Sequence, residues 1–145
     1  MSEKPTIFAV DDESETIDMI TRTLCDTYDV RGFVDPRAAI DAASTLSPVC
    51  VIADFRMPEV NGVEMLEQIR KSGVHCSGLI ITGYAAESQK VLSDKAGASF
   101  SVMEKPWSPE ELRARTARVI SDFRASGPQP SPAKRGAQRR PTAKP

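Results

Sequence analysis

The chain has 145 residues, about one globular domain, of which 40% are hydrophobic and 27% charged. No apolar run approaches the roughly 20 residues of a membrane span, and the opening MSEKPT lacks the apolar core of a signal peptide, so we expect a cytoplasmic protein. The three cysteines, Cys25, Cys50 and Cys76, are odd in number and far apart, which argues against a disulfide framework or a zinc site.

The net charge of −1 conceals an asymmetry between the body of the chain and its C-terminal tail. From Ser126 onward there is no acidic residue and there are five basic ones: Lys134, Arg135, Arg139, Arg140 and Lys144. The rest of the chain holds 14 basic and 20 acidic residues, a net charge of −6. We predict one folded domain over residues 1–124 and a disordered, proline-rich tail over 125–145. The tail has no interleaved aromatic residues and no amphipathic pattern, so it gives no strong nucleic-acid or membrane signal.

The first two predicted strands, Thr6–Val10 and Val30–Val34, are short runs of apolar residues separated by a helical pattern. That pattern places Ile17, Ile20 and Leu24 on one helix face. After the second strand, Asp35-Pro36 is typical of an N-cap followed by proline in the first turn, and it predicts an alanine-rich second helix.

The middle of the chain repeats the strand–helix alternation. The apolar run Val49–Ala53 predicts the third strand, which leads directly into Asp54. The turn Asn61-Gly62 then precedes a third helix that we expect to end at Gly73, and Gly78–Thr82 is the fourth strand.

The last part of the chain contains one further strand between two helical patterns. A weakly apolar helix is predicted over 86–96, and Phe100–Met103 is the fifth strand. Ser108-Pro109 favours a helix start, with Glu111 placed for a capping box. Five strands, each followed by a helical pattern, predict an α/β fold: one doubly wound, five-stranded parallel sheet of the flavodoxin-like (βα)5 type.

Ligands of such sheets bind at the carboxyl ends of the strands, and here those ends carry reactive side chains. Asp11-Asp12 follows the first strand, Asp54 the third, Thr82 ends the fourth, and Lys105 follows the fifth. Clustered carboxylates repel one another unless a cation neutralises them, and Mg²⁺ prefers such oxygen ligands. A carboxylate beside this metal can attack phosphorus and form an aspartyl phosphate, with a lysine offsetting charge.

This set of residues resembles the receiver domains of two-component response regulators over about residues 5–123. The matching features are Asp11-Asp12, the D-x-x-M-P of Asp54 to Pro58 followed by Gly62, Thr82, and Lys105-Pro106. The resemblance implies that Asp54 is the phosphoacceptor. It also implies Mg²⁺ as cofactor, bound by Asp12 and Asp54 directly, by Asp11 through water, and by the backbone carbonyl of Arg56.

The resemblance further implies roles in switching. Lys105 would contact the phosphoryl group, and Thr82 would move toward it as the switch hydroxyl. The family usually has an aromatic residue three positions before the lysine, but here that position is Val102, so the aromatic role is either lost or taken by Phe100 from a shifted position.

Two further positions influence phosphate lifetime in the family: two residues beyond the phosphoacceptor and two beyond the switch hydroxyl. Here they are Arg56 and Tyr84, both bulky, and we expect them to slow hydrolysis by obstructing the attacking water.

The function implied is a phosphorylation-controlled interaction module rather than an enzyme. Its donor would be a sensor histidine kinase or a histidine phosphotransfer protein, and its output an unidentified protein or a phosphorylation-dependent homodimer. A phosphate relay or sink, and the receiver part of a longer regulator, remain alternatives. A Mg²⁺-dependent phosphohydrolase would usually carry an aspartate where Arg56 stands. A flavodoxin-like cofactor binder would need a phosphate loop where this chain has Asp11-Asp12-Glu13.

Overall fold

Five parallel strands form one sheet in the order β2-β1-β3-β4-β5, in a computed structural model that describes residues 4–83 and 100–125. The strands are β1 (Thr6–Val10), β2 (Asp29–Phe33), β3 (Cys50–Asp54), β4 (Ser77–Thr82) and β5 (Ser101–Glu104). The helices of the described residues are α1 (Ser14–Leu24), α2 (Pro36–Leu46), α3 (Gly62–Lys71) and α4 (Pro109–Ala125). The predicted fold class is confirmed; the helix predicted over 86–96 lies outside the described residues.

Several predicted strand limits are wrong by one residue, because the hydrogen-bonded ladder rather than the apolar pattern sets them. β3 runs on to Asp54, which pairs with Ile81, since β4 continues alongside it. β2 begins at Asp29, whose N–H donates to the Pro5 carbonyl at 2.9 Å, and ends before Val34, which is 55% exposed. β4 begins at Ser77 and β5 is Ser101–Glu104, and α3 ends at Lys71, two residues before the predicted Gly73.

The core consists of two layers, one on each face of the sheet. Because successive strand side chains point to opposite faces, Phe8 and Val10 pack with α2 and α3, whereas Ile7 and Ala9 pack with α1 and α4. The central strands are therefore buried on both faces, as parallel strands usually are. Cys50 is fully buried within the second layer.

Three of the four described helices, α2, α3 and α4, begin at a side-chain cap. The Asp35 carboxylate accepts the Arg37 N–H at 3.0 Å, and Ser108 Oγ accepts the Glu111 N–H at 3.0 Å, as predicted. Asn61 and Glu64 form a reciprocal capping box that the sequence reading missed. This box starts α3 immediately beside the end of β3.

β5 lies at one border of the sheet, and its outward-facing backbone is contacted by α4. The Lys105 N–H donates to the Thr82 carbonyl at 2.9 Å and therefore points toward β4. Backbone groups of successive residues point to opposite sides of a strand, so the carbonyl of Val102, three positions earlier, points away from β4. Arg115 Nη1 donates to that carbonyl at 2.9 Å. Within the described ranges, no helix is long and apolar enough to span a membrane.

Candidate functional site

Three aspartates meet at the carboxyl ends of the neighbouring strands β1 and β3. Asp11, Asp12 and Asp54 each present a carboxylate oxygen, and these oxygens lie within 4.8 Å of one another. Asp11 is held in place by its N–H, which donates to the Phe33 carbonyl of β2 at 3.1 Å. Asp54 is the last paired residue of β3, so its backbone position is fixed by β4. The structure thus brings together the three residues predicted to hold a metal.

Burial and repulsion oppose ionisation within this cluster. Asp11 is 2% exposed, and burial raises its pKa to about 6, with a smaller upward contribution from Asp54 and Asp12. The Glu13 N–H, which donates to Asp11 Oδ1 at 2.8 Å, acts in the opposite direction, as does Lys105. Burial also raises the pKa of Asp54.

Lys105 brings a positive charge to the phosphoacceptor candidate from two strands away. Its backbone is tied to Thr82 at the end of β4, and its Nζ lies 3.5 Å from Asp54 Oδ1. The Asp54 side chain is only 12% exposed. Attraction and a hydrogen bond from Lys105, together with the N–H of Arg56, partly offset the effect of burial on the Asp54 pKa.

An open pocket of about 280 Å³ joins these groups. It is lined by Asp12, Glu13, Asp54, Arg56, Thr82, Gly83 and Lys105. Thr82 is buried at its wall, with 1% of its surface exposed. Glu13 was not predicted here, although its position beside Asp11-Asp12 was the available signal. A second, shallower pocket of about 480 Å³ adjoins it across Asp12 and Arg56.

The two candidates for the switch aromatic position are both partly buried in the layer of α2 and α3. Val102 is paired with Ile80 inside β5. Phe100 precedes β5 and lies against Gly78, because a Cβ built on that glycine would be 3.0 Å from Phe100 Cβ. Gly78 is four residues before Thr82, roughly 13 Å along β4. Tyr84 lies outside the described residues.

The donor set fits a hard divalent cation. Carboxylate oxygens are the ligands that Mg²⁺ prefers, and a cation would offset both the burial and the smaller repulsion that raise the Asp11 pKa. Asp12, the exposed member, leaves one side of the cluster open to water and to a phosphate oxygen.

A family profile described as "Response regulator receiver domain" matches residues 7–117, more than two thirds of the chain. The chain belongs to this family. Membership makes it a regulatory domain of two-component signalling. Vibrio cholerae chemotaxis protein CheY4 has a similar structure, with a TM-score of 0.73 and 28% identity over 81% of this chain and 99% of CheY4. A CheY-like receiver domain from Methanospirillum hungatei, at 23% identity and a TM-score of 0.75, shares the fold over 86% of this chain and all of that one.

Two curated relatives are transcriptional regulators that are longer than this receiver domain. The alkaline phosphatase synthesis transcriptional regulatory protein PhoP of Bacillus subtilis is 30% identical over 84% of this chain and 51% of its own length. The transcriptional regulatory protein FixJ of Bradyrhizobium diazoefficiens is 32% identical over 88% of this chain and 61% of its own. The chain therefore spans about half to three fifths of these relatives.

Proposed function

We propose that Asp54 accepts a phosphoryl group from the phosphohistidine of a sensor kinase or a histidine phosphotransfer protein. One observation carries the proposal: the largely buried Asp54 carboxylate lies 3.5 Å from Lys105 Nζ and within 4.8 Å of the acidic pair that follows the adjacent strand β1. An Asp54 carboxylate oxygen forms the new bond to phosphorus as the phosphorus–nitrogen bond breaks, and the electron pair leaves with the imidazole.

Asp11, Asp12 and Asp54 would hold Mg²⁺, with the Arg56 carbonyl as a further ligand. The bound ion would supply charge neutralisation at the transferring phosphoryl oxygens. Lys105 supports the same oxygens from the other side, since its ammonium already lies beside the Asp54 carboxylate. Burial in the pocket strengthens these charge interactions relative to those in bulk water.

The switch step would begin at Thr82. Thr82 lines the pocket, and its carbonyl accepts the Lys105 N–H at 2.9 Å. A phosphoryl group on Asp54 provides new acceptor oxygens for the Thr82 hydroxyl, which favours one of two arrangements of the β4 and β5 ends.

The aromatic member of the usual relay is lost in this chain, in our proposal. The support is position: Phe100 lies at the level of Gly78, roughly 13 Å along the strand from Thr82, and packs in the layer of α2 and α3. Val102 occupies the expected position with an aliphatic side chain. Output would then depend on strand-end and helix movement rather than on an aromatic side chain turning inward.

The partner on the output side would be another protein, a second copy of this chain, or a further domain of a longer regulator. The greater length of the relatives PhoP and FixJ supports the last alternative, a further domain of a longer regulator. The basic tail predicted over 125–145 lies outside the described residues except for Ala125, which ends α4.

The test is intact-protein mass after incubation with acetyl phosphate, with and without Mg²⁺. We expect one phosphoryl adduct on the wild type in the presence of Mg²⁺, and none on Asp54→Asn. Asp41→Asn, an exposed aspartate of α2, is the matched control and should gain the adduct. Absence of an adduct from the wild type would refute the proposal, and an adduct on Asp54→Asn would refute the assigned acceptor.

A further inference from the structure

Gly62, the first residue of α3, touches the backbone of Asp54. Its N–H donates to the Phe55 carbonyl at 3.0 Å. A Cβ at this position would lie 2.6 Å from the Asp54 carbonyl oxygen and 3.3 Å from Ala53 Cβ. Cβ atoms essentially never come closer than 3.0 Å to such an atom, so only glycine allows this approach.

This contact closes the loop that carries the pocket residue Arg56. The loop leaves β3 after Asp54, whose neighbour Phe55 donates its N–H to the Ile81 carbonyl at 2.8 Å. It returns to the same place at Gly62, so both ends of the loop are held against the end of β3. Between them, the Arg56 N–H hydrogen-bonds the Asp54 carboxylate.

Neither side of the contact can yield freely. Asp54 is paired with Ile81, and moving it would disturb the ladder between β3 and β4. On the other side, the Asn61–Glu64 capping box fixes the start of α3. A side chain at position 62 would therefore strain the loop between the two fixed ends.

We infer that Gly62 is a positioning residue for the acid pocket, whose direct contact with the Asp54 backbone sets the placement of Asp54 and Arg56 as metal ligands. The inference rests on the proposed function and identifies a contact that holds the geometry of the acid pocket. A methyl group would have to move from 2.6 Å to at least 3.0 Å from the Asp54 oxygen, and to 3.4 Å for an ordinary contact, a shift of 0.4–0.8 Å. Sites of this kind need their groups held to within about 0.5 Å. Disturbing the supporting contacts of a metal ligand typically weakens metal binding about 10- to 100-fold.

The test compares Gly62→Ala with a matched control, Gly78→Ala, in the strand β4 that packs against the same helix. Gly78→Ala would overlap the Leu66 Cδ2 of α3, one helical turn beyond Gly62, through a flexible side chain rather than through the Asp54 backbone. Mg²⁺ binding is read from the fluorescence of Trp107, the single tryptophan, which follows Lys105 by two residues. Hydrogen exchange of the position-62 amide, measured in metal-free protein, reports the loop closure directly.

We expect Gly62→Ala to weaken Mg²⁺ binding about tenfold and to accelerate exchange of this amide, while Gly78→Ala binds Mg²⁺ within about twofold of wild type. Equal Mg²⁺ affinities for the two variants would overturn the inference. Should Gly62→Ala not fold, Asn61→Ala loosens the same helix start by about 1 kcal/mol and should weaken Mg²⁺ binding several-fold; unchanged binding would also overturn it. If the wild type takes up no phosphoryl group, the proposed function is refuted. If the wild type is phosphorylated but the variants bind Mg²⁺ as tightly as the wild type does, only the role of Gly62 is refuted.

Discussion

Replacement of Asp11 by asparagine should stabilise the metal-free protein. Burial raises the Asp11 pKa from an ordinary 3.8 to about 6, so the ionised carboxylate is less favourable in the folded chain than in the unfolded one. At about 1.36 kcal/mol per pH unit, this difference sets a ceiling of about 3 kcal/mol at neutral pH. The pocket is open to water beside Asp12, so screening reduces the ceiling, and we expect a gain of about 1–2 kcal/mol. Asparagine can still accept the Glu13 N–H through its amide oxygen.

The pH dependence has a definite sign. A carboxyl group whose folded-state pKa is raised gives no penalty below the unfolded value of 3.8, and the full penalty above about 6. The stability advantage of Asp11→Asn should therefore be near zero at pH 3.5, grow between pH 4 and 6, and stay constant above pH 7.

The assay is urea denaturation in EDTA at a series of pH values, followed by far-UV circular dichroism. Asp41→Asn serves as control, because that exposed carboxylate of α2 does not line the pocket and should change stability by less than about 0.5 kcal/mol at any pH. Saturating Mg²⁺ should then reverse the order, since it stabilises the wild type by binding the complete ligand set.

A variant that is no more stable than wild type at pH 7.5 in EDTA would refute this reasoning. So would an advantage that persists unchanged down to pH 3.5, because the gain would then not come from removing a buried charge.

Three other perturbations test separate features. Small residues in place of Arg56 and Tyr84 together should shorten the half-life of the phosphorylated protein several-fold in a mass-based decay assay; an unchanged half-life would show that neither obstructs the attacking water. Glu59→Gly should raise the free energy of unfolding by about 0.5–1 kcal/mol, because Glu59 has a left-handed φ of 76° and its ion pair is exposed, and urea melts that show a loss would contradict this. Gly32→Ala should cost about 1–3 kcal/mol in the same melts, since its Cβ would overlap Ile17 Cγ2 of α1; a neutral result would mean that α1 shifts freely on the sheet.

Local chemistry in the sequence was sufficient to predict the element order and much of the site. Asp35-Pro36 and Ser108-Pro109 act at short range, so their caps form as their spacing predicts. The carboxyl ends of parallel strands lie on one side of the sheet whatever the details of packing, which is why Asp11, Asp54 and Lys105 meet as expected.

What the sequence did not reveal depends on distances between separate segments. The strand limits follow from pairing, so Asp54 joined β3 although the apolar run had ended. The capping box from Asn61 to Glu64 was available as an N-x-x-E spacing, but it was obscured by reading Asn61-Gly62 as a turn alone. The closeness of Gly62 to the Asp54 carbonyl has no counterpart in any local pattern, because it arises only when the loop folds back.

The hydrogen bond from Arg115 to Val102 has a consequence for how this domain can assemble. Unpaired backbone groups on a border strand invite another chain to extend the sheet, which is a common route to aggregation. In β5 an outward carbonyl is already occupied by a guanidinium of the protein's own helix, which would have to be displaced before a foreign strand could pair there. We therefore expect a partner at this border to contact the side chains of α4 and β5 rather than to extend the sheet.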